Sequence, residues 1–269
     1  MNRTGLIIAL VIAAVNGLVF GLFPELELRV SQHFHDVIDA GGNVFSWRIY
    51  PPLMLARDIG LWVGTAIIAP VLVALAIKFI LPTRRLLIPG RAIIFLTATL
   101  ALGPGLVVNV ILKDHWGRSR PIDVTQLGGA ERYVRWWDPT GECPNNCSFV
   151  SGDVSGAFWT LAPAALTPLP YRPLAYGAAL ALGTVMAAFR VMAGGHFVSD
   201  VVFAGVFTFL TIWLAYALIY RWPRTRLSDE HIEQAIERIA MPGYSALCSL
   251  FGKKKKGGGN TNESKDRLT

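Results

Sequence analysis

The sequence predicts an all-α fold: a polytopic membrane protein built as a bundle of six transmembrane helices, with its polar chemistry gathered at one end. Three observations carry that expectation. Of the 269 residues, 53% are hydrophobic and only 16% charged, against roughly a quarter charged in a soluble domain. Six segments, 5–23, 59–81, 91–112, 154–170, 173–192 and 197–220, stay apolar over stretches close to the ~20 residues that a helix needs to cross hydrocarbon. The Lys and Arg residues between these segments fall on one side when the spans are threaded in order.

The first segment follows Arg3 and has no small-residue cleavage site after it; Phe23-Pro24-Glu25 is a poor one, so a retained helix is expected rather than a signal peptide. The stretch 24–58 carries His33, His35 and Asp36, then Trp47, Tyr50, Pro51 and Pro52. It reads as an interfacial stretch with its aromatics at headgroup depth rather than as a metal site. Spans two and three enclose Arg84, Arg85 and Arg91, the turn between spans four and five holds Arg172, and span six leads into a basic tail. Excess Lys and Arg stay in the cytoplasm, which places both termini there. The opposite, extracytoplasmic side then receives 24–58, 113–153 and 193–196. Pro163 and the small residues around it leave the extents of spans four and five least defined.

Residues 1–226 are expected to form the membrane domain and 227–269 a cytoplasmic basic tail. Residues 221–269 hold ten Lys/Arg against six acids, which supplies most of the net charge of +7. Ser228-Asp229-Glu230 starts a short helix to Ala240, and Lys253–Lys256 followed by glycines reads as disordered, either solvated or touching anionic lipid. No basic stripe with interleaved aromatics points to nucleic acid. Neither a Cys/His zinc spacing nor a paired CxxC motif is present.

Three polar clusters interrupt the oily chain, all on the extracytoplasmic side. The first, Lys113–Pro121 (KDHWGRSRP), sets Lys113, Arg118 and Arg120 around Gly117 and Pro121; three cations in a stiff turn exceed what a membrane anchor needs. Arg offers a bidentate fork to phosphate oxygens and Lys a point charge. The second, Ser151-Gly152-Asp153, leads into span four, where small residues let backbone N–H groups approach an anion; alone it is merely an N-cap sequence. In the third, Arg190 ends span five, and His196 and Asp200 follow four residues apart. On one helix face Asp200 reaches the imidazole and fixes its tautomer, although such a pair also serves as a plain structural hydrogen bond. Cys143 and Cys147 flank a tight loop before the second cluster, on the oxidising side; a disulfide is expected there, with two free thiols as the alternative.

In order and spacing, Lys-x6-Arg-Pro, a Ser-Gly turn and Arg-x5-His-x3-Asp resemble the three-part signature of the type 2 phosphatidic acid phosphatase superfamily, over residues 113–200. The resemblance implies a six-helix membrane phosphatase that uses no metal or other cofactor and passes through a phosphohistidine. Carried over by position, His196 is the nucleophile and Asp200 its orienting partner, and Lys113, Arg120, Arg190, Ser151 and the Gly152 amide hold the phosphate. The family's second motif reads Pro-Ser-Gly-His, and its histidine protonates the leaving group. Here Val150 and Asp153 replace the outer two residues. A carboxyl group of pKa ~3.9 donates a proton at neutral pH only if its site raises that value. The alternatives are a leaving group good enough to need little help, a disabled site, or His115 as substitute acid. A raised Asp153 combined with a good leaving group favours lipid A 1-phosphate, on an anomeric carbon, over undecaprenyl diphosphate and then glycerophospholipid phosphates. The expected place is the bacterial inner membrane with the site facing the periplasm. A lipid phosphotransferase and a non-catalytic lipid-binding or transport protein are the competing readings.

Overall fold

Backbone N–H and C=O groups find no water in hydrocarbon, so apolar runs of this length fold as helices that satisfy their own hydrogen bonds. The computed structural model of the chain describes residues 2–38 and 42–252. In chain order its helices are α1 (Arg3–Leu22), α2 (Glu25–His33), α3 (Pro51–Ile80), α4 (Gly90–His115), α5 (Gly152–Trp159), α6 (Leu161–Leu166), α7 (Arg172–Met192), α8 (Val198–Arg221) and α9 (Asp229–Gly252). A small antiparallel hairpin, β1 (Asp36–Ile38) and β2 (Gly42–Val44), lies between α2 and α3.

Among the described residues five helices are long and apolar enough to cross a bilayer: α1, α3, α4, α7 and α8. Their outward faces carry Ile8, Val11, Leu18, Leu72, Val73 and Leu180 in exposed positions, a surface suited to lipid rather than water. The fourth expected span is instead two short helices, α5 and α6, that fill the centre of the bundle. The break has a local cause: Pro163 has no N–H to offer the carbonyl four residues earlier, at Trp159, where α5 ends. Small residues let neighbours close around this segment. Ser155 and Thr208 share a 2.6 Å hydrogen bond, and the Trp159 indole donates to Thr99 at 3.0 Å.

α4 is also irregular, and to a purpose. It starts as an α-helix, widens into a π-helix over Ala101–Leu112, and closes with one α-turn at Lys113–His115. Pro104 interrupts the normal ladder, and the Asn109 amide donates to the Pro104 carbonyl at 2.7 Å. That fixes Asn109 against Gly152, where any Cβ would lie 2.5 Å from Asn109 Oδ1.

At the far end of the bundle α9 is docked by ions. Asp229 accepts from the Arg91 backbone N–H at 2.8 Å and its Nε at 3.0 Å, while buried Lys78 reaches Glu233 at 3.1 Å and Glu237 at 3.7 Å. This helix continues through Pro242 to Gly252, beyond the Ala240 limit expected from sequence. The polybasic stretch from Lys253 onward lies outside the described residues.

Candidate active site

The three polar clusters converge at the end of the bundle opposite α9. Two backbone hydrogen bonds tie the first to the approach of the second: Cys147 N–H donates to the Lys113 carbonyl at 2.9 Å, and Ser148 N–H to the Arg118 carbonyl at 2.7 Å. Cys143 and Cys147 are bridged, with Cα atoms 5.7 Å apart. Within that loop Asn146 takes a left-handed conformation and turns its carbonyl to Arg120, which donates to it through Nη2 at 2.6 Å and Nε at 3.2 Å.

After α7 the chain must turn sharply into α8. Gly194 adopts φ +63° with Phe45 packed where a Cβ would stand, and a Cβ on Gly195 would lie 2.6 Å from Arg190 Nη2. The paired glycines therefore let the Arg190 guanidinium fold back over the loop that carries His196. His196 is buried, with Nδ1 2.6 Å from the Ser148 carbonyl oxygen. A carbonyl only accepts, so Nδ1 carries the proton and Nε2 keeps its lone pair. Burial first, then the charges of Arg190, Arg120 and Lys113, push the imidazole well below the ordinary histidine range and hold it neutral.

The expected His196–Asp200 hydrogen bond is not formed. His196 precedes α8, so the shared-face argument for residues four apart does not apply to it. Asp200, in the first turn, curls back to accept the Phe197 N–H at 2.9 Å. Its carboxylate also accepts from the Ser148 hydroxyl and Arg118 Nη1, each at 2.5 Å. Ser148 joins the two motif residues, its carbonyl on His196 and its hydroxyl on Asp200. Asp200 is thus linked to the imidazole through Ser148.

Arg118, read from sequence as one cation of a phosphate-binding turn, points inward instead. It is fully buried, bonds Glu27 at 2.5 Å as well as Asp200, and lies 4.5 Å over the Phe197 ring. Glu27 is anchored further by the Ser199 N–H at 2.9 Å and the Tyr133 hydroxyl at 3.0 Å. Two carboxylates on one guanidinium hold its charge more firmly than usual despite burial.

Asp153 corrects another expectation. Burial alone would raise its pKa, but the Arg57 Nε hydrogen bond at 2.7 Å and the charges of Arg190, Arg57 and Lys113 outweigh burial and hold it below the ordinary carboxylate range. Arg190 Nε stands 3.5 Å from the same oxygen, an ion pair too long for a good hydrogen bond. Ser151 heads α5 fully buried, and its hydroxyl has no hydrogen-bond partner among the described residues. His115, the other acid considered, turns Nδ1 to the Val110 carbonyl at 2.9 Å. Among the described residues no group of three or more His, Cys, Asp or Glu is placed to hold a metal ion.

Lys113, Arg120 and Arg190 all act electrostatically on buried His196, and Ser151, Gly152 and Asp153 stand at the head of α5. Sequence reasoning missed Glu27, Ser148 and Arg57. The only signal for Arg57 was a charge two residues before an apolar span.

The PAP2 superfamily model matches residues 92–224. The chain is similar to a protein named lipid A 4'-phosphatase from Francisella tularensis subsp. novicida, 35% identical over 228 residues, covering 82% of this chain and 98% of that protein. Two proteins of the same name are each 40% identical to it over shorter stretches. The one from Rhizobium leguminosarum aligns over 104 residues, 39% of this chain and 45% of its own length; that from Rhizobium etli aligns over 102 residues, 38% and 40%. No solved structure matches the chain.

Proposed function

This chain belongs to the PAP2 superfamily and is a membrane phosphatase acting on lipid phosphate monoesters, and from that premise we propose that it removes the 4'-phosphate of lipid A through a phosphohistidine on His196. The observation that carries the mechanism is the Ser148 carbonyl on His196 Nδ1. It commits Nε2, as a neutral lone pair, to a site surrounded by Lys113, Arg120 and Arg190.

In the first step Nε2 attacks phosphorus. The P–N bond forms, the P–O bond to the sugar breaks, and its electron pair leaves on the sugar oxygen, which takes a proton. Lys113, Arg120 and Arg190 stabilise the charge on the three remaining phosphoryl oxygens, and the Ser151 hydroxyl and Gly152 N–H complete the cradle. Water then attacks phosphorus and gives up a proton to the group that protonated the sugar oxygen, the P–N bond breaks with its electron pair returning to Nε2, and inorganic phosphate leaves. Asp153 is assigned the proton. It is ionised beside Arg57 and Arg190 in the free protein, but a phosphate dianion that claims Arg190 sets a like charge next to it and raises its affinity for a proton.

The 4' position is favoured over the 1 position because all three relatives carry that name. The leaving group there is an ordinary sugar alkoxide, so the leaving-group argument for the anomeric phosphate loses its force. The inner membrane, with the site at the periplasmic face, is supported by Arg84, Arg85, Arg91, Arg172, Arg221, Arg224 and Arg226 between or after spans on the other side. Counting α5–α6 as a crossing places both termini in the cytoplasm.

The test is phosphate release from lipid A by purified protein in detergent, with fragmentation mass spectrometry locating the phosphate lost. Loss from the 4' position that disappears in His196→Ala is expected. Loss from the 1 position overturns the substrate assignment, and activity surviving in His196→Ala overturns the nucleophile.

A further inference from the structure

Two guanidiniums on different helices converge on one oxygen. Arg57, in the second turn of α3, donates through Nε to Asp153 Oδ2 at 2.7 Å, and Arg190 Nε lies 3.5 Å from that same oxygen. Arg57 belongs to none of the three motif segments; it reaches the site from α3, almost a hundred residues earlier in sequence. Fold stability gives little reason for the arrangement, because a pair with side chains 40% and 21% exposed contributes little to folding. Chemistry gives a better one. A carboxylate oxygen held between two cations occupies the kind of position a phosphate oxygen takes, and guanidinium forks suit both anions. Two residues before Asp153 the buried Ser151 hydroxyl, and within the pair Arg190 Nε, have no hydrogen-bond partner among the described residues, so both donors remain unspent.

We propose that Arg57 is a fourth phosphate-binding cation, and that Asp153 is the internal counter-ion which phosphate displaces from Arg57 and Arg190 on binding. The inference rests on the phosphatase reading above and extends it to a residue outside the family motifs. Its physical content is an exchange. Before phosphate binds, one carboxylate offsets the mutual repulsion of Arg57 and Arg190. On binding, a dianion with more oxygens takes both guanidiniums, and Asp153 is left beside the leaving oxygen, where the proton is required. Arg57 then has two effects of opposite sign on phosphate affinity: its charge attracts the ligand, and its partner carboxylate repels it.

Those opposed signs make the test. Orthovanadate, a phosphate-like oxyanion, is titrated calorimetrically into the purified full chain in detergent and into Arg57→Gln, Arg57→Lys and Asp153→Asn. Arg57→Gln weakens binding by about tenfold or more, as expected for one lost charge-assisted contact. Arg57→Lys falls between it and the unaltered chain, and Asp153→Asn binds several-fold tighter, roughly three- to tenfold, because the competing carboxylate is gone. The thermal midpoint of each variant confirms that it is folded. Vanadate affinity unchanged in Arg57→Gln, or weakened in Asp153→Asn, overturns the proposal, as does an unaltered chain that binds no vanadate. A chain that shows the expected pattern but releases no phosphate from lipid A refutes the substrate assignment and leaves this one standing. An active enzyme indifferent to Arg57→Gln refutes this one alone.

Discussion

Replacing Arg118 by Met removes the one cation shared by two buried carboxylates. Arg118, Glu27 and Asp200 are all fully buried, with both ion-pair contacts at 2.5 Å. Removing one partner of a buried pair costs about 3–5 kcal/mol, because the other charge is left uncompensated. Here two charges are left, which pushes the loss toward the upper figure. Each carboxylate nevertheless keeps two donors, Glu27 the Ser199 N–H and Tyr133 hydroxyl, Asp200 the Phe197 N–H and Ser148 hydroxyl. These hold the loss within the range rather than doubling it. At about 2–4 °C per kcal/mol for a chain of this size, the thermal midpoint falls by roughly 6–20 °C. The assay is thermal unfolding of the detergent-solubilised full chain at one fixed scan rate, since such transitions are kinetically controlled. The double variant Arg118→Met/Glu27→Leu supplies the internal check. With one stranded carboxylate removed, it loses less than the two single variants added together. A midpoint within a degree or two of the unaltered protein for Arg118→Met, or strict additivity in the double variant, refutes the reading of Arg118, Glu27 and Asp200 as one coupled buried charge cluster.

Burial and the charges of Arg190, Arg120 and Lys113 hold His196 neutral below the ordinary histidine value of about 6.5, so the acid limb of kcat/KM, which reports the free enzyme, falls below pH 6.5; a limb at or above that value contradicts it. The same shift links to stability. Below about 6.5 the unfolded chain's histidine binds a proton that the folded one refuses, so this contribution is fully present above that pH and is lost as pH falls through the folded value, as pH-dependent unfolding will read. Reducing the Cys143–Cys147 bridge, or replacing both by Ser, loosens the Asn146 carbonyl that aligns Arg120. KM rises several-fold, roughly three- to tenfold for a partly lost charge-assisted contact, and unchanged kinetics after reduction, with free thiols confirmed by labelling, would deny the loop that role. Gly195→Ala places a methyl 2.6 Å from Arg190 Nη2 and lowers kcat/KM by about tenfold or more through the displaced guanidinium, whereas Gly177→Ala, which meets nothing within 4 Å, leaves kinetics unaltered.

The parts legible in the sequence are those where composition acts alone or where spacing fixes geometry. Apolar length predicted the helices. The order of three polar clusters, through its resemblance to the superfamily signature, predicted one site for Lys113, Arg120, Ser151, Gly152, Asp153, Arg190 and His196, and the fold brings these residues to one end of the bundle. What failed were inferences that assumed a regular helix. The i, i+4 argument for His196 and Asp200 needed both residues on one helix face, and the turn at Gly194-Gly195 puts His196 before the helix begins. The fourth span, whose extent around Pro163 the sequence left least defined, breaks between Trp159 and Leu161. Long-range partners left no local trace of whom they pair with. Glu27 meets Arg118 across 91 residues of sequence, and Arg57 meets Asp153 across 96; nothing in a window of helical length reports such a pair.

The charge balance at the mouth explains why Asp153 and Arg57 belong together. Lys113, Arg120 and Arg190 already repel one another, and Arg120 is pushed below its ordinary value by burial and by neighbouring Arg48. A fourth cation at Arg57 adds to that repulsion unless an anion accompanies it. A histidine at position 153, as in the superfamily's usual motif, supplies no such charge and would itself be repelled by Arg57 when protonated. The two positions are therefore coupled by electrostatics: Asp153→His alone leaves Arg57 uncompensated beside Arg190, and activity falls. Asp153→His combined with Arg57→Gln removes the conflict and recovers part of that activity. Phosphate release from lipid A by the single and double variants measures the coupling, and a double variant no better than Asp153→His alone would show that Arg57 and Asp153 contribute independently.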